Sequence, residues 1–131
     1  MQKILKWMGL ALVAAIAALH FYIAWFEVFA WTSRGPVVFD TFPPDLFEQT
    51  IQLAANQGVY NAFLAAGLTW SLLIRDPQWQ FKIAVCFLTF VAIAGVAAAV
   101  TIQLSTGLPQ LVPAVAALAL LLASRPTATS Q

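Results

Sequence analysis

The sequence has very little charge. Only 6 of its 131 residues are Lys or Arg and 5 are Asp or Glu, so charged residues make up 8% of the chain while hydrophobic residues make up 62%. A soluble domain of this length carries far more charge on its surface. This scarcity excludes a soluble globular protein and predicts an integral membrane protein in contact with the lipid bilayer. A formal net charge of +1 gives no basis for binding nucleic acid.

Cysteine and histidine are also scarce, since Cys86 and His20 are the only ones. A lone cysteine cannot form an intrachain disulfide. One histidine cannot supply two axial ligands to a haem, and no HxxE or CxxC spacing occurs, so no metal site is predicted. The sequence also lacks a phosphate-binding loop, a nucleophile elbow and a nucleotide motif, and we therefore predict no cofactor.

Four apolar segments follow one another along the chain, and the first three are long enough to cross a bilayer. The fourth carries Pro109 and Pro113, which predict a kink or a proline-bearing first turn. We predict one all-α integral membrane domain over residues 1–131, built as an antiparallel bundle of four transmembrane helices. The predicted helices cover residues 4–31, 44–74, 79–104 and 108–124, with a tight loop at residues 105–107.

The positions of the basic residues predict the orientation of this bundle. Gly35 and Pro36 interrupt the first helix, so residues 32–43 form a loop, which contains Arg34. The other five basic residues fall on the opposite side of a four-span bundle: Lys3, Lys6, Arg75, Lys82 and Arg125. The positive-inside rule therefore predicts cytoplasmic termini, an extracytoplasmic loop at residues 32–43, and multi-pass insertion in the inner (cytoplasmic) membrane.

The first apolar segment contains a histidine and a glutamate. At about 100° per residue, His20, Ala24, Glu27 and Trp31 share one face of the predicted helix. A charged carboxylate near the bilayer centre costs at least about 2.5–3.5 kcal/mol, so such residues tend to face a bundle interior and to have a function. His20 and Glu27 are separated by about 10 Å of helix rise, which leaves room for water or a ligand between them.

The second apolar segment has a polar face of its own, formed by Gln57, Tyr60 and Asn61 with Asn56 at its edge. Amides in hydrocarbon are costly unless they are paired. Counting from the predicted cytoplasmic ends places His20 level with Asn61, and Glu27 near Asn56 or Gln57. The two faces together predict a polar pocket in the outer half of the membrane, open toward residues 32–52.

These same residues carry a family resemblance. Residues 20–27 (HFYIAWFE), Trp31 and residues 56–68 (NQGVYNAFLAAGL) resemble the DUF1304 family of small bacterial integral membrane proteins. The similarity in spacing extends over most of the chain. The resemblance implies the same membrane topology and points to the same residues, but it implies no activity.

Several functions are compatible with such a pocket. In the first, His20 and Glu27 are a catalytic acid–base pair for isomerisation, cyclisation or hydration of a small lipophilic substrate. The residues that would bind this substrate are Trp31, Asn56, Gln57, Tyr60 and Asn61. The second is a small-molecule or proton-coupled carrier, which needs a homo-oligomer because 131 residues are too few for a carrier on their own. The third is an accessory subunit of a larger membrane complex. In the plainest interpretation, the polar groups only join helices.

The predicted orientation can be tested by labelling single cysteines at positions 38 and 128, introduced after Cys86→Ser. We expect a membrane-impermeant thiol reagent to modify position 38 in intact cells and position 128 only after permeabilisation, because the two positions lie on opposite sides of a four-span bundle. Modification of both positions from the same side would overturn the topology.

Overall fold

The structure, a computed structural model, describes residues 1–125, and these form six helices. The helices are α1 (Gln2–Phe29), α2 (Trp31–Val38), α3 (Pro44–Gln49), α4 (Ile51–Leu73), α5 (Pro77–Thr101) and α6 (Leu104–Ala123). The long helices α1, α4, α5 and α6 form a bundle in which α1 contacts α4 and α6, and α5 also contacts both of them. Short connections make α5 antiparallel to α4 and to α6. Position 128 lies outside the described residues.

Within residues 1–125, three helices are long and apolar enough to cross a membrane: α1, α5 and α6. The sequence predicts α4 as a fourth span, but α4 is not among them. Its N-terminal half carries polar side chains that lower its mean hydropathy: Gln52, Asn56, Gln57 and Asn61. This helix is still 23 residues long and packs closely against α1. The protein is therefore all-helical, with three apolar helices typical of a membrane protein and one more polar helix packed among them.

The connection between α1 and α4 differs from the predicted loop. The first helix ends at Phe29, and Ala30, with φ −127° and ψ 12°, starts a change of direction into α2. Gly35 does not end a helix; it lies within α2, against the ring of Phe47. The predicted second helix is also divided, since α3 ends before Thr50 and α4 begins after it. Contacts within this segment favour two short helices over an extended loop.

The last two helices also begin earlier than the sequence predicts. The Asp76 carboxylate accepts a hydrogen bond from the Trp79 backbone N–H at 2.8 Å, so α5 starts at Pro77. Residues 105–107, predicted as a loop, are helical, and α6 begins at Leu104. Pro109 and Pro113 therefore both lie inside α6. Pro113 has no N–H, which leaves the Pro109 carbonyl without its usual donor within the helix.

Small residues bring the helices close together within two hairpins. In the α1–α4 hairpin, a Cβ added to Gly58 would lie 3.0 Å from Ala24 O, so the two backbones are nearly in contact. In the α5–α6 hairpin, a Cβ on Gly107 would overlap Gly95 O and Ala99. Such small-residue contacts are a common way for membrane helices to pack.

The apolar core lies in only one half of the bundle, toward the N-terminus of α1. Its fully buried members come from all four long helices: Val13, Leu68, Ala84, Leu88, Val91, Ala114 and Ala117. Lys6, Gln80 and Ser124 line a small hollow at the same end, which places the start of α1 and the end of α6 together. The two hairpins are therefore packed tightly at this end of the bundle.

The close contact at Gly107 generates a stability prediction. Gly107→Ala should lower the free energy of unfolding by about 1–3 kcal/mol, because the new methyl group meets backbone atoms of α5 that cannot move aside easily. Helix propensity alone predicts the opposite sign, since Ala is favoured over Gly by about 1 kcal/mol. Reversible unfolding in mixed detergent micelles, followed by circular dichroism, measures the change.

Gly9→Ala is the matched control. A Cβ there would meet mainly the flexible end of the Leu121 side chain, with Cδ2 at 2.8 Å, and we expect a clearly smaller effect. Equal effects of the two substitutions would contradict the close packing of α5 against α6.

Candidate functional site

A cavity of about 670 Å³ opens between the two hairpins at the end of the bundle opposite the core. This volume is within the range of small-molecule binding sites. Its walls come from α1, α4, α5 and α6, and the end of α2 lies at its rim. Its apolar lining includes Leu19, Ile23, Leu64, Ala94 and Ala98. Its polar lining consists of Tyr22, Glu27, Gln57, Tyr60, Asn61, Thr101, Gln103, Ser105, Thr106 and Gln110.

The central polar contact of the cavity joins α1 to α4. Asn61 Nδ2 donates a hydrogen bond to Glu27 Oε2 at 2.8 Å and lies 3.3 Å from the Gln57 carbonyl, which also accepts from it. The amide group therefore uses its donors within the protein and leaves Asn61 Oδ1 as an acceptor. Among the described residues, Glu27 Oε1 has no donor, so one carboxylate oxygen is available to a bound molecule.

This contact corrects the predicted register of the two helices. The sequence places His20 level with Asn61 and Glu27 near Asn56 or Gln57, but in the structure Glu27 is the residue that meets Asn61. The prediction assumed that both helices begin at the same membrane depth. The register instead follows from Gly58, which fits against Ala24 and Glu27 and shifts α4 by about one turn relative to α1.

His20 lies outside the cavity, in contrast to its predicted pairing with Glu27. Its side chain is 0% exposed and does not contribute to the lining. His20 Nδ1 lies 2.9 Å from the Ile16 carbonyl one turn earlier in α1. The ring is packed into the boundary between the apolar core and the cavity, beside Gln110 of α6. The structure therefore does not present the imidazole and the carboxylate to a shared substrate.

Trp31 also lies outside the cavity lining, although the sequence predicts it as a substrate-binding residue. Its indole N–H donates to Thr50 Oγ1 at 3.0 Å. The ring centroid of Trp31 is 5.2 Å from that of Phe47, 5.6 Å from that of Phe26 and 5.8 Å from that of Phe39. Trp31 thus belongs to an aromatic cluster that holds α2 and α3 over the end of α1.

The remaining predicted binding residues divide into two groups. Gln57, Tyr60 and Asn61 all line the cavity. Asn56 is exposed and lies outside the lining. Gly58 faces α1, and Asn56 lies about 200° around α4 from it, so its side chain is directed away from α1. Within residues 1–125, no three His, Cys, Asp or Glu side chains come together as metal ligands would.

Sequence reasoning missed the contribution of α6. Thr106, Pro109 and Gln110 of α6 line the cavity, together with Gln103 just before this helix. The signal that singles out Asn56 and Gln57, an amide inside an apolar segment, also applies to Gln110. The two neighbouring prolines favour the start of a helix at this point, so Gln110 is not recognised as a residue inside a membrane helix.

The model of the DUF1304 family, described as a protein of unknown function, matches residues 14–122. The chain belongs to the DUF1304 family. No curated protein and no solved structure matches it. The matched range runs from α1 into α6 and includes every residue that lines the cavity of this DUF1304 protein.

The hydrogen bond between Asn61 and Glu27 generates the next prediction. Asn61→Leu should lower the free energy of unfolding by about 1–3 kcal/mol, since it leaves the carboxylate without its donor. Asn56→Leu is the matched control, and because Asn56 is exposed we expect a change within about 0.5 kcal/mol. Unfolding in mixed micelles measures both.

A double-mutant cycle with Glu27→Leu separates the pair from general packing. The effects of Glu27→Leu and Asn61→Leu on the free energy of unfolding should be non-additive, whereas those of Glu27→Leu and Asn56→Leu should be additive. Additivity at both positions would show that the Asn61–Glu27 hydrogen bond does not form.

Proposed function

We propose that this DUF1304 protein crosses the cytoplasmic membrane four times, with α4 as the polar fourth span and both termini inside. The 23 residues of α4 correspond to about 34 Å, enough to cross the hydrocarbon core beside α1. Lys6 and Arg125 support the orientation, because the first lines the hollow at the core end and the second lies 6.0 Å from the Phe81 ring near the start of α5. A cluster of basic residues at that end fits the cytoplasmic side.

We further propose that the cavity binds a small lipophilic molecule and that Glu27 acts on it as a general base. The observation that carries this proposal is the placement of Glu27 in a cavity of about 670 Å³ with one oxygen held by Asn61 and the other without a donor. The Asn61 amide fixes the orientation of the carboxylate, and Glu27 Oε1 is left for a ligand.

The lining suits proton transfer without a cofactor. Glu27 would take a proton from a hydroxyl group, or from carbon beside a carbonyl or double bond, and return it at another atom. Amides and hydroxyls around it, from Gln57, Tyr60 and Gln110, would hydrogen-bond an oxygen on which negative charge develops. Isomerisation, cyclisation and hydration all fit this scheme, and His20 takes no direct part because it does not reach the cavity.

Transport by a single chain is less well supported. A path across the bundle would have to pass through the apolar core, where Leu68, Leu88 and Val91 are 0% exposed. The two alternative functions can be distinguished. An oligomeric carrier would have a central path between copies of the chain, whereas an accessory subunit would bind a stoichiometric partner in the native membrane.

Photolabelling tests whether the cavity binds lipophilic molecules. A long-chain alcohol bearing a diazirine, added to the protein in nanodiscs, should label residues of the cavity lining, as mapped by peptide mass spectrometry. Ala98→Phe places a ring in the cavity and should reduce this labelling several-fold, because the space is filled while Glu27 and Asn61 are unchanged.

Ala119→Phe is the control, since Ala119 is exposed on α6 and does not line the cavity. It should leave labelling at the wild-type level. Equal labelling of all three proteins would mean that the probe reports only the lipid-facing surface, and the binding proposal would fail.

A further inference from the structure

His20 has an unusual hydrogen-bonding state. In the part of the chain that the structure describes, His20 Nε2 is the one buried side-chain nitrogen or oxygen without a partner of ordinary geometry. Buried polar atoms are rarely left in this condition because each unpaired one costs about 1–3 kcal/mol. The Gln110 side chain of α6 lies beside the ring.

The backbone decides which ring nitrogen carries the proton. His20 Nδ1 is 2.9 Å from the Ile16 carbonyl, and a carbonyl oxygen only accepts hydrogen bonds. Nδ1 must therefore be the protonated nitrogen. In the neutral imidazole the other nitrogen is then an acceptor, so Nε2 requires a donor. A doubly protonated ring would be a charge in a fully buried position with no carboxylate against it.

Gln110 is placed both to donate a hydrogen bond to His20 Nε2 and to present a polar atom to the cavity. It lines the cavity on one side and adjoins His20 on the other. If its NH₂ group donates to His20 Nε2, its carbonyl oxygen is directed to the opposite side of the amide. We propose that His20 is a positioning residue that fixes the Gln110 amide, so that Gln110 Oε1 faces the cavity as a hydrogen-bond acceptor.

The position of Gln110 Oε1 also defines the class of ligand. This part of the proposal rests on the proposed function, namely that the cavity binds a lipophilic molecule. The cavity would then offer two side-chain acceptors from different helices, Glu27 Oε1 from α1 and Gln110 Oε1 from α6. The Pro109 carbonyl, released by Pro113, adjoins Gln110 in the chain. A lipophilic molecule with hydroxyl or amino groups satisfies such acceptors, whereas an ether or a simple ketone leaves them unpaired and is disfavoured.

Nuclear magnetic resonance of the imidazole tests the positioning role without any ligand. The sequence contains one histidine, so ¹⁵N-histidine labelling of protein purified without a polyhistidine tag gives a single pair of ring signals. We expect a protonated Nδ1 and an unprotonated Nε2. A ring protonated at Nε2, or at both nitrogens, would overturn the proposal.

Two variants test whether Gln110 is the donor. Gln110→Leu should shift the His20 Nε2 signal, because leucine is similar in size to glutamine but has no group that can donate a hydrogen bond. Gln103→Leu is the matched control, since Gln103 lines the same cavity from the position just before α6, and it should leave the signal unchanged. An Nε2 signal that is the same in wild type and in Gln110→Leu would overturn the proposal.

Competition between two photoprobes tests the ligand class. A diazirine-bearing long-chain alcohol should label the cavity in preference to its methyl ether, and Gln110→Leu and His20→Phe should each reduce this preference, roughly two- to tenfold for one lost hydrogen bond. A purely structural His20 would alter labelling by both probes equally, which would overturn the proposal. If neither probe labels the cavity of the wild-type protein, the proposed function fails, whereas the ring signals still decide the role of His20.

Discussion

The hydrogen bond between Asn61 and Glu27 fixes how α1 and α4 pack against each other. A carboxylate inside an apolar helix is tolerated only where another group pairs with it. At 2.8 Å, the Asn61 amide supplies that partner from α4, and Gly58 one turn away allows the two backbones to come close enough for it. The pairing places polar atoms between helices instead of toward lipid, and it sets the height at which the cavity lies.

The cavity itself results from uneven packing of two hairpins. Alanine, valine and leucine side chains fill the space between them at one end, where Ala84, Leu88 and Ala117 are 0% exposed. At the other end, alanines of α5 and polar side chains of α4 and α6 leave space that no large apolar residue fills. Close contacts at Gly95 and Gly107 hold α5 and α6 together as one hairpin.

The sequence alone predicts the all-helical membrane class, and it singles out Glu27 and Asn61 because polar groups in apolar segments are conspicuous. Their roles in binding and catalysis stay predictions. The sequence does not predict the register of α4 against α1, because that register depends on the contact of Gly58 with residues far away in the chain. The same limit explains the short helices before α4, which pack through Gly35 against Phe47. His20 was misplaced for a related reason: helix periodicity assigns a face, but it does not show which neighbouring helix covers it.

Hydrogen exchange into lipids decides whether Glu27 transfers protons to a lipophilic molecule. The protein in nanodiscs made with lipids extracted from the expressing cells is incubated in D₂O, and the lipids are analysed by mass spectrometry. Hydration adds a solvent-derived deuterium to carbon, and isomerisation does so when the proton on Glu27 exchanges with D₂O before it is returned. We therefore expect at least one species to gain mass with wild-type protein and with Glu48→Gln, which alters an exposed carboxylate of α3, but not with Glu27→Gln. Identical lipid spectra for wild type and Glu27→Gln would contradict the account.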